Sequence, residues 1–438
     1  MNTIERLAAF CVGASSDSLS PEERGIQSRH FSDAVIAALV GAHGKEIRAM
    51  APLYGPRPED RLGLLAAAVR MTEIDDIHMP SCTTPSSAVV PLLLTAVRIE
   101  PDSATRFQDA LRVGTDLMTR FGTAVEGPRI LYRDIWPTYL AAPLACAGAA
   151  ARMLELDTTA AAHALAISLT LTAGGTGRFR HGLSPRWYMH GCAVEAGYRA
   201  ARAAQAGFRG DIDLLERDWM AQTHGAPLDR DVLLDSLGER SCYGELSIKP
   251  WCSAKQAIAA TDLFIGLLRE GFNPEDIEEI VVRAPPAYAD MISVAANPQS
   301  RTTTFVSVKY QLALAAYNGD ALYDVRRERI FWNEKIVAFM ERIRVEKDEA
   351  LQASYPARWP ATLVVTTQSG VVTRTCLDAP GDPERRFTDA DLADKARRLL
   401  DPLVGAGAGD KWLDASRAAL EQTSRLTKLA SDIDQALP

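Results

Sequence analysis

The chain has 438 residues, 47% of them hydrophobic, and its 48 lysines and arginines against 56 aspartates and glutamates give a net charge of −8 at pH 7. This length predicts two or three domains with a large buried core. The mild acidity and the lack of a basic block argue against nucleic acid or an anionic membrane as the main partner. Without a signal-peptide pattern or a long uncharged apolar run, we expect neither a leader peptide nor a transmembrane helix.

The chain has seven cysteines, which are scattered and form no Cys-x-x-Cys pair. In a chain of this size such a distribution favours free thiols in a reducing cytoplasm. It also argues against a structural zinc site.

Roughly the first 240 residues are predicted to be helical, because apolar residues recur at spacings of three and four. The segments with this spacing are 31–41, 61–71, 87–98, 104–120, 138–155, 158–172 and 187–207. Segment 138–155 is rich in alanine, and small side chains let helix axes approach closely, so we expect it at the centre of a bundle. Gly207 has the position of a C-terminal helix stop.

The pattern changes near residue 244, where short β-rich runs begin. These runs are 279–283, 342–346 and 362–377, with helices predicted between them at 253–269 and 304–317. A Gln-Ser-Gly sequence inside 362–377 indicates a hairpin. From residue 388 the chain is predicted to be helical again, and a final helix carries an apolar stripe at Leu420, Leu426, Leu429, Ile433 and Leu437.

We therefore predict a mainly α protein with an α+β lid. A helical domain is expected from both chain ends, 1–243 and 388–438, with the tail packing back on the first part. Residues 244–387 are expected to form a smaller domain with a mostly antiparallel sheet.

Residues 75–91 are the most informative stretch, because Asp75, Asp76 and His78 place two acids and an imidazole within four residues. A small-residue, proline-rich turn follows. Burial of unpaired charge is costly, so we expect these side chains either to lie in water or to line a polar cavity. The glycine-rich sequences at 174–177 and 405–409 do not follow strands, and we interpret them as loops rather than phosphate sites.

Five segments together resemble the MmgE/PrpD family, which includes 2-methylcitrate dehydratase, cis-aconitate decarboxylase and iminodisuccinate epimerase. The segments are EIDDIHMPSCTTPSSAVVPLLL (73–94), WPTYLAAPLACAGAAARMLELD (136–157), SPRWYMHGCAVEAGYRAARAAQAGFRG (184–210), IKPWCSAKQAIAATDL (248–263) and DAPGDPERRFTDADLADKARRLL (378–400). Each motif is weak alone, but their order and spacing cover nearly the whole chain. The resemblance implies a homodimer, a helical domain formed from both chain ends with a smaller lid domain, and an active site between these domains that needs no cofactor.

The chain departs from the family pattern at four positions. Where many members have histidine, it has Thr84, Trp136 and Gln256, and where they have lysine at the start of the third motif, it has Arg186. Lys249, Cys252 and the acidic pair match the pattern. Because the usual acid/base set is partly absent, decarboxylation and methylcitrate dehydration are the activities least expected.

The family's common step breaks a bond α to a carboxylate, which requires a base, an acid and cations that bind carboxylates. We assign the catalytic roles to Lys249, Asp75 and His78, with Asp75 or Asp76 orienting the imidazole or the lysine. Arginine binds carboxylates at two points, so Arg186 is assigned to substrate. The other predicted substrate-binding residues are Asp76, Thr84, Trp136, Thr138, Arg133, Cys252, Lys255 and His181, with Tyr132 a weaker candidate.

These assignments have alternatives. Lys249 could be a surface lysine, His78 an ordinary histidine, and Arg186 the partner of a structural acid. We predict a cofactor-free lyase or isomerase for a small polycarboxylate, hydroxy acid or imino acid, with dehydration or epimerisation favoured over decarboxylation. The alternatives are a degenerate member that binds a carboxylate or a partner protein without turnover, and a purely structural helical dimer.

Overall fold

The computed structural model describes residues 1–173, 185–296, 301–326 and 332–438. Its helices up to residue 234 are α1 Thr3–Gly13, α2 Pro21–Ala42, α3 Lys45–Met50, α4 Leu62–Met71, α5 Pro85–Ile99, α6 Phe107–Ala124, α7 Gly127–Leu131, α8 Pro137–Met153, α9 Thr158–Thr170, α10 Pro185–Gln205, α11 Trp219–His224 and α12 Arg230–Leu234. The later helices are α13 Lys255–Arg269, α14 Pro286–Ile292, α15 Arg301–Val306, α16 Val308–Tyr317, α17 Glu334–Glu341, α18 Glu349–Gln352, α19 Asp389–Val404, α20 Ala408–Glu421 and α21 Leu426–Ala436. The strands are β1 Ile77–His78, β2 Leu246–Ser247, β3 Ile277–Ala284, β4 Ile343–Lys347, β5 Ala361–Thr367 and β6 Gly370–Cys376.

The described residues divide into two compact units. The helical unit comprises 1–173, 185–246 and 400–438, and the mixed unit comprises 247–296, 301–326 and 332–399. The predicted class, mainly α with a small and mostly antiparallel sheet, is confirmed. No helix within the described ranges has the length and apolar character needed to cross a bilayer.

The alanine-rich helix α8 lies at the centre of the helical unit, as its composition predicts. It packs against α5, α6, α9 and α10, and nearly all of its side chains are buried. Gly197 of α10 shows how close the axes are, because a Cβ there would lie 2.5 Å from the Pro143 carbonyl oxygen. Small residues at this crossing therefore bring α10, which carries Arg186, against the bundle core.

The C-terminal helices belong to the same unit. Helix α20 packs on α2, and α21 packs on α5. Asp434 of α21 is 2.9 Å from both Arg61 and Arg98. The single final helix expected around Leu420–Leu437 is wrong in one respect, since a 3₁₀ turn at Thr423–Arg425 separates α20 from α21.

The mixed unit contains, within its described residues, a four-stranded sheet in the order β4-β3-β5-β6. Strands β3 and β4 are parallel, and the other pairs are antiparallel. The predicted hairpin is the β5–β6 pair, with Thr367 opposite Gly370 at the turn. The helix expected at 304–317 is broken at Ser307, which caps α16 by accepting from the backbone N–H of Tyr310.

Candidate functional site

The segment after α4 carries buried acidic residues. Helix α4 ends at Met71, and Glu73 then adopts a left-handed backbone conformation with a φ of 54°, which is uncommon for a residue with a side chain. Glu73, Asp75, Asp76 and His78 are all at least 95% shielded from solvent. The expectation that these side chains could lie in water is therefore wrong, and their burial requires partners inside the protein.

Two arginines supply the partners of Glu73 and Asp75. Arg70 Nη1 lies 3.0 Å from Glu73 Oε2 and 3.2 Å from Asp75 Oδ1, while Arg186 Nη2 lies 2.9 Å from Glu73 Oε1. Although burial opposes the charged guanidinium, the adjacent Asp75 and Glu73 carboxylates raise the pKa of Arg70. Glu73 thus bridges two guanidinium groups in a buried network. Arg186 therefore has the acidic partner that the alternative interpretation of this residue predicts.

Arg186 also lies against aromatic rings. Its guanidinium carbon is 4.3 Å from the centroid of the Trp136 ring, within the range of a cation–π interaction. Trp136 in turn stacks on Tyr139 with ring centroids 5.8 Å apart. Trp136 and Arg186, two of the positions at which the chain departs from the family motifs, therefore contact each other.

A cluster of buried hydroxyl groups lies at the start of α5 and α8. Thr84 Oγ1 is 2.9 Å from Ser87 Oγ and 3.3 Å from Thr138 Oγ1, and the Thr84 backbone N–H donates to Thr138 Oγ1 at 3.2 Å. The structure therefore brings the predicted pair Thr84 and Thr138 together.

His190 of α10 is next to these groups. Its Nε2–H donates to the Ser87 carbonyl oxygen at 3.0 Å, which leaves Nδ1 as an acceptor with no hydrogen-bond partner in the described part of the chain. Burial is the main cause that lowers the pKa of His190 to about 3; the nearby Arg70 and Arg186 act in the same direction, and the bond to Ser87 opposes them. His190 is therefore a neutral imidazole with a free lone pair.

Asp76 and His78 have separate partners. Asp76 Oδ2 is 3.0 Å from His30 Nδ1, and Asp76 also accepts from the backbone N–H and hydroxyl of Ser86. His78 Nδ1 is 2.8 Å from Ser81 Oγ, and its Nε2 is 2.9 Å from Glu245 Oε2. The idea that Asp75 or Asp76 orients His78 is therefore wrong, because Glu245 does so.

The bond from His78 is also the main cause that lowers the pKa of Glu245. Both ring nitrogens of His78 are engaged in the folded protein. This arrangement is what a satisfied, buried histidine needs.

Arg133 and Tyr132 follow α7 and are exposed. Their role in substrate binding stays a prediction. The predicted residue His181 and the 174–177 sequence lie outside the described residues.

In the mixed unit, Lys249 and Cys252 are buried, so the alternative of a surface lysine at position 249 is wrong. The Lys255 ammonium donates to the Asp382 carboxylate, whose other oxygen accepts from the Ala379 backbone N–H at 2.8 Å. Lys255 thus fastens the start of α13 to the loop at residues 379–382. Gln256, at the position of the family histidine, is also buried.

Sequence reasoning gave no role to Arg70, Glu73 or His190. A signal for the first two exists, because an arginine in the last turn of α4 and a glutamate three residues later are within pairing range. The contacts of His190 with Ser87 and Tyr139 depend on helix packing and have no local signal.

The helical unit therefore holds an internal carboxylate, that of Glu73, between two buried guanidinium groups. Hydroxyl groups and a neutral imidazole lie close by. Such a set can bind carboxylates and hydrogen-bonding oxygens. Among the described residues, no group of three or more His, Cys, Asp or Glu side chains is placed to hold a metal ion.

The comparison with protein families gives two matches. Residues 63–224 match the MmgE/PrpD N-terminal domain, and residues 251–419 match the MmgE/PrpD C-terminal domain. No curated protein shows significant similarity to the chain. Members of this family are generally enzymes, typically dehydratases. With its two matched domains in order over most of its length, the chain belongs to the MmgE/PrpD family.

Proposed function

We propose that the chain is a cofactor-free lyase or isomerase that acts at the carbon α to a carboxylate of a small polycarboxylate, hydroxy acid or imino acid. The observation that carries the proposal is the Glu73 carboxylate, held between Arg70 and Arg186. A site that binds an internal carboxylate in this way has the charge and geometry to bind that of a substrate.

Arg186 is the proposed carboxylate anchor. Its guanidinium carries N–H donors on three nitrogens, and the indole of Trp136 at 4.3 Å restricts its orientation. Arg70 is buried more deeply beside Asp75, so it serves to fix Glu73 and the acidic segment rather than to bind substrate directly.

The hydroxyl cluster and His190 favour substrates with further oxygen or nitrogen groups. Thr84 and Thr138 can donate to substrate oxygens, and His190 Nδ1 can accept a hydrogen bond from a hydroxyl or imino group. The neutral His190 is a poor general acid near pH 7, since its pKa is about 3. We therefore favour dehydration or epimerisation over decarboxylation, which needs a well-placed proton donor.

Lys249 is the proposed acid or base, and it is buried as such a role requires. Asp75 is proposed to act in the same step as a fixed negative charge beside Arg70. His78 remains a catalytic candidate, although its bonds to Ser81 and Glu245 would have to open for proton transfer. We also propose that the protein works as a homodimer, as membership of the family implies.

A second candidate is a family member that binds a carboxylate ligand or a partner protein without turnover. Two observations favour it. Both nitrogens of His78 are engaged, and Lys255 is held by Asp382. In that case the arginine network would serve binding alone.

The experiment compares Arg186→Lys and Arg186→Gln with wild type over a panel of di- and tricarboxylates, hydroxy acids and imino acids. Turnover is followed by NMR and affinity by calorimetry. Arg202→Gln is the matched control, because Arg202 is also on α10 but is half-exposed and paired with Glu100.

We expect Arg186→Lys to raise KM about tenfold or more and to change kcat less, because a lysine keeps the charge but loses two-point binding. Arg202→Gln should leave both parameters unchanged. Equal KM values in the two Arg186 variants and wild type would contradict the assignment. Ligand binding that depends on Arg186, without turnover of any compound, would favour the second candidate.

A further inference from the structure

Asp76 is a buried carboxylate beside the first turn of α5. Its Oδ1 accepts from the backbone N–H of Ser86 at 3.1 Å, and its Oδ2 accepts from the Ser86 hydroxyl. Oδ2 also accepts from His30 Nδ1 of α2 at 3.0 Å, since an ionised carboxylate can only accept. Both oxygens are thus engaged inside the helical unit, which favours a role within the protein over the substrate-binding role predicted for Asp76.

The bond to the Ser86 N–H takes the place of a normal helix cap. Thr84 is the N-cap residue of α5, and a threonine there usually accepts from the N–H two or three positions further on. In the described part of the chain, Thr84 Oγ1 makes no such bond. Ser86 lies two positions after Thr84, so Asp76 caps α5 from outside the helix, and its negative charge also suits a helix N-terminus.

This external cap releases the Thr84 hydroxyl for other contacts. Thr84 Oγ1 lies 2.9 Å from Ser87 Oγ and 3.3 Å from Thr138 Oγ1, which are side-chain groups of the buried hydroxyl cluster. A hydroxyl that capped its own helix would instead have its oxygen directed at a backbone N–H. The position of the Thr84 hydroxyl therefore depends on a residue that does not touch it.

The same turn of α5 also holds His190. The Ser87 carbonyl oxygen accepts from His190 Nε2 at 3.0 Å, and Ser87 directly follows the capped residue Ser86. Asp76 is therefore placed to fix two of the groups that we propose to contact substrate, the Thr84 hydroxyl and the His190 imidazole.

We infer that Asp76, held by His30, is a positioning residue of the proposed site. It caps α5 so that the Thr84 hydroxyl stays directed at Thr138 and at the substrate. The inference rests on the proposed function, because that proposal assigns Thr84 to substrate oxygens. It also narrows the substrate class, since the arrangement favours a carboxylate that carries a hydroxyl group over its deoxy analogue.

The first test is a crystal structure of the ligand-free Asp76→Ala variant. We expect Thr84 Oγ1 to rotate toward the backbone N–H of Ser86 or Ser87 and to leave Thr138, because the helix then has no other cap. Asp76→Asn keeps an acceptor for the Ser86 N–H and should retain the wild-type contacts of Thr84. The double variant His30→Leu, Asp76→Ala gives the same readout and leaves no imidazole donor without its acceptor.

Asp109→Ala is the matched control. Asp109 accepts from the backbone N–H of Ser16 at 2.7 Å and from its hydroxyl at 2.8 Å, and it lies 2.7 Å from Arg152. It therefore has the same kinds of bonds as Asp76, but none of these partners belongs to the proposed site. Thr84 should keep its contacts in this variant.

The second test measures the binding of succinate and of both malate enantiomers by calorimetry, because malate differs from succinate by one hydroxyl. We expect wild type to prefer one malate enantiomer about two- to tenfold, the range that a single hydrogen bond provides. Asp76→Ala and Thr84→Val should each bring this ratio close to one, and their combination should add nothing, since both act through one hydroxyl. A general loss of stability would not change the ratio.

Three results would overturn the inference: unchanged Thr84 contacts in the Asp76→Ala structure, equal binding of malate and succinate by wild type, or a malate preference that Asp76→Ala retains. If neither ligand shows binding that Arg186→Gln weakens, the proposed function is at fault instead. The position of Thr84 in the ligand-free variant then still decides the inference.

Discussion

Replacement of Arg70 by methionine tests whether the buried ion-pair network contributes to the free energy of unfolding as strongly as its geometry indicates. Methionine keeps an apolar side chain in place but removes the guanidinium that lies 3.0 Å from Glu73 and 3.2 Å from Asp75. Loss of one partner of a buried ion pair costs about 3–5 kcal/mol, since charge stays behind in a poorly solvated place. With a urea slope of about 3 kcal/mol per M, the unfolding midpoint should fall by roughly 1–1.7 M.

The assay is urea unfolding followed by circular dichroism and by tryptophan fluorescence. The double variant Arg70→Met, Asp75→Asn removes the charge left on Asp75, while Glu73 keeps its pairing with Arg186, and should recover most of the loss. Arg202→Met, which removes a half-exposed ion pair with Glu100, should cost at most about 1 kcal/mol. The reasoning is refuted if Arg70→Met unfolds at the same urea concentration as Arg202→Met, or if the double variant is no more stable than Arg70→Met alone.

Three further predictions concern the same unit. The pKa of His190 falls from its ordinary 6.5 to about 3 in the folded protein, so the unfolded state binds a proton more readily, and the free energy of unfolding should decline as pH drops below about 6.5. His190→Gln should flatten the dependence of the urea unfolding midpoint on pH in this range, and an unchanged dependence would contradict this. Gly191→Ala should cost about 1–3 kcal/mol by thermal unfolding, since its Cβ would lie 2.5 Å from the Gly63 carbonyl oxygen, and a neutral effect would refute that close approach. Arg120 donates to the carbonyls of Ser236 and Arg240, so Arg120→Met should speed limited proteolysis near residues 235–242, with unaltered cleavage as the opposing result.

The sequence predicts the helices and strands correctly where one local residue pattern is dominant. Apolar spacing predicts α4, α5 and α8 to within about two residues, a precision that strong periodicity allows. The Gln-Ser-Gly turn predicts the β5–β6 hairpin for the same reason. The break at Ser307 was missed, because a single serine has no strong local signal against an otherwise continuous apolar pattern.

The contacts of the site were harder to predict, because they join residues far apart in the chain. Sequence reasoning named Arg186 and Trp136, and the structure puts them in contact. It could not give the Glu73 bridge, since the left-handed backbone at that residue and the approach of α10 are both consequences of packing. It also misassigned the partner of His78, since Glu245 is 167 residues away in the sequence.

The most direct test of the central claim is hydrogen exchange in D2O, followed by NMR, at the carbon α to the carboxylate. Wild type, Lys249→Ala and Arg186→Gln are compared over small di- and tricarboxylates, hydroxy acids and imino acids. We predict that at least one compound exchanges or eliminates with wild type, and that both variants lose most of this rate while they retain the helical circular dichroism signal. A compound that turns over equally well with all three proteins would contradict the account.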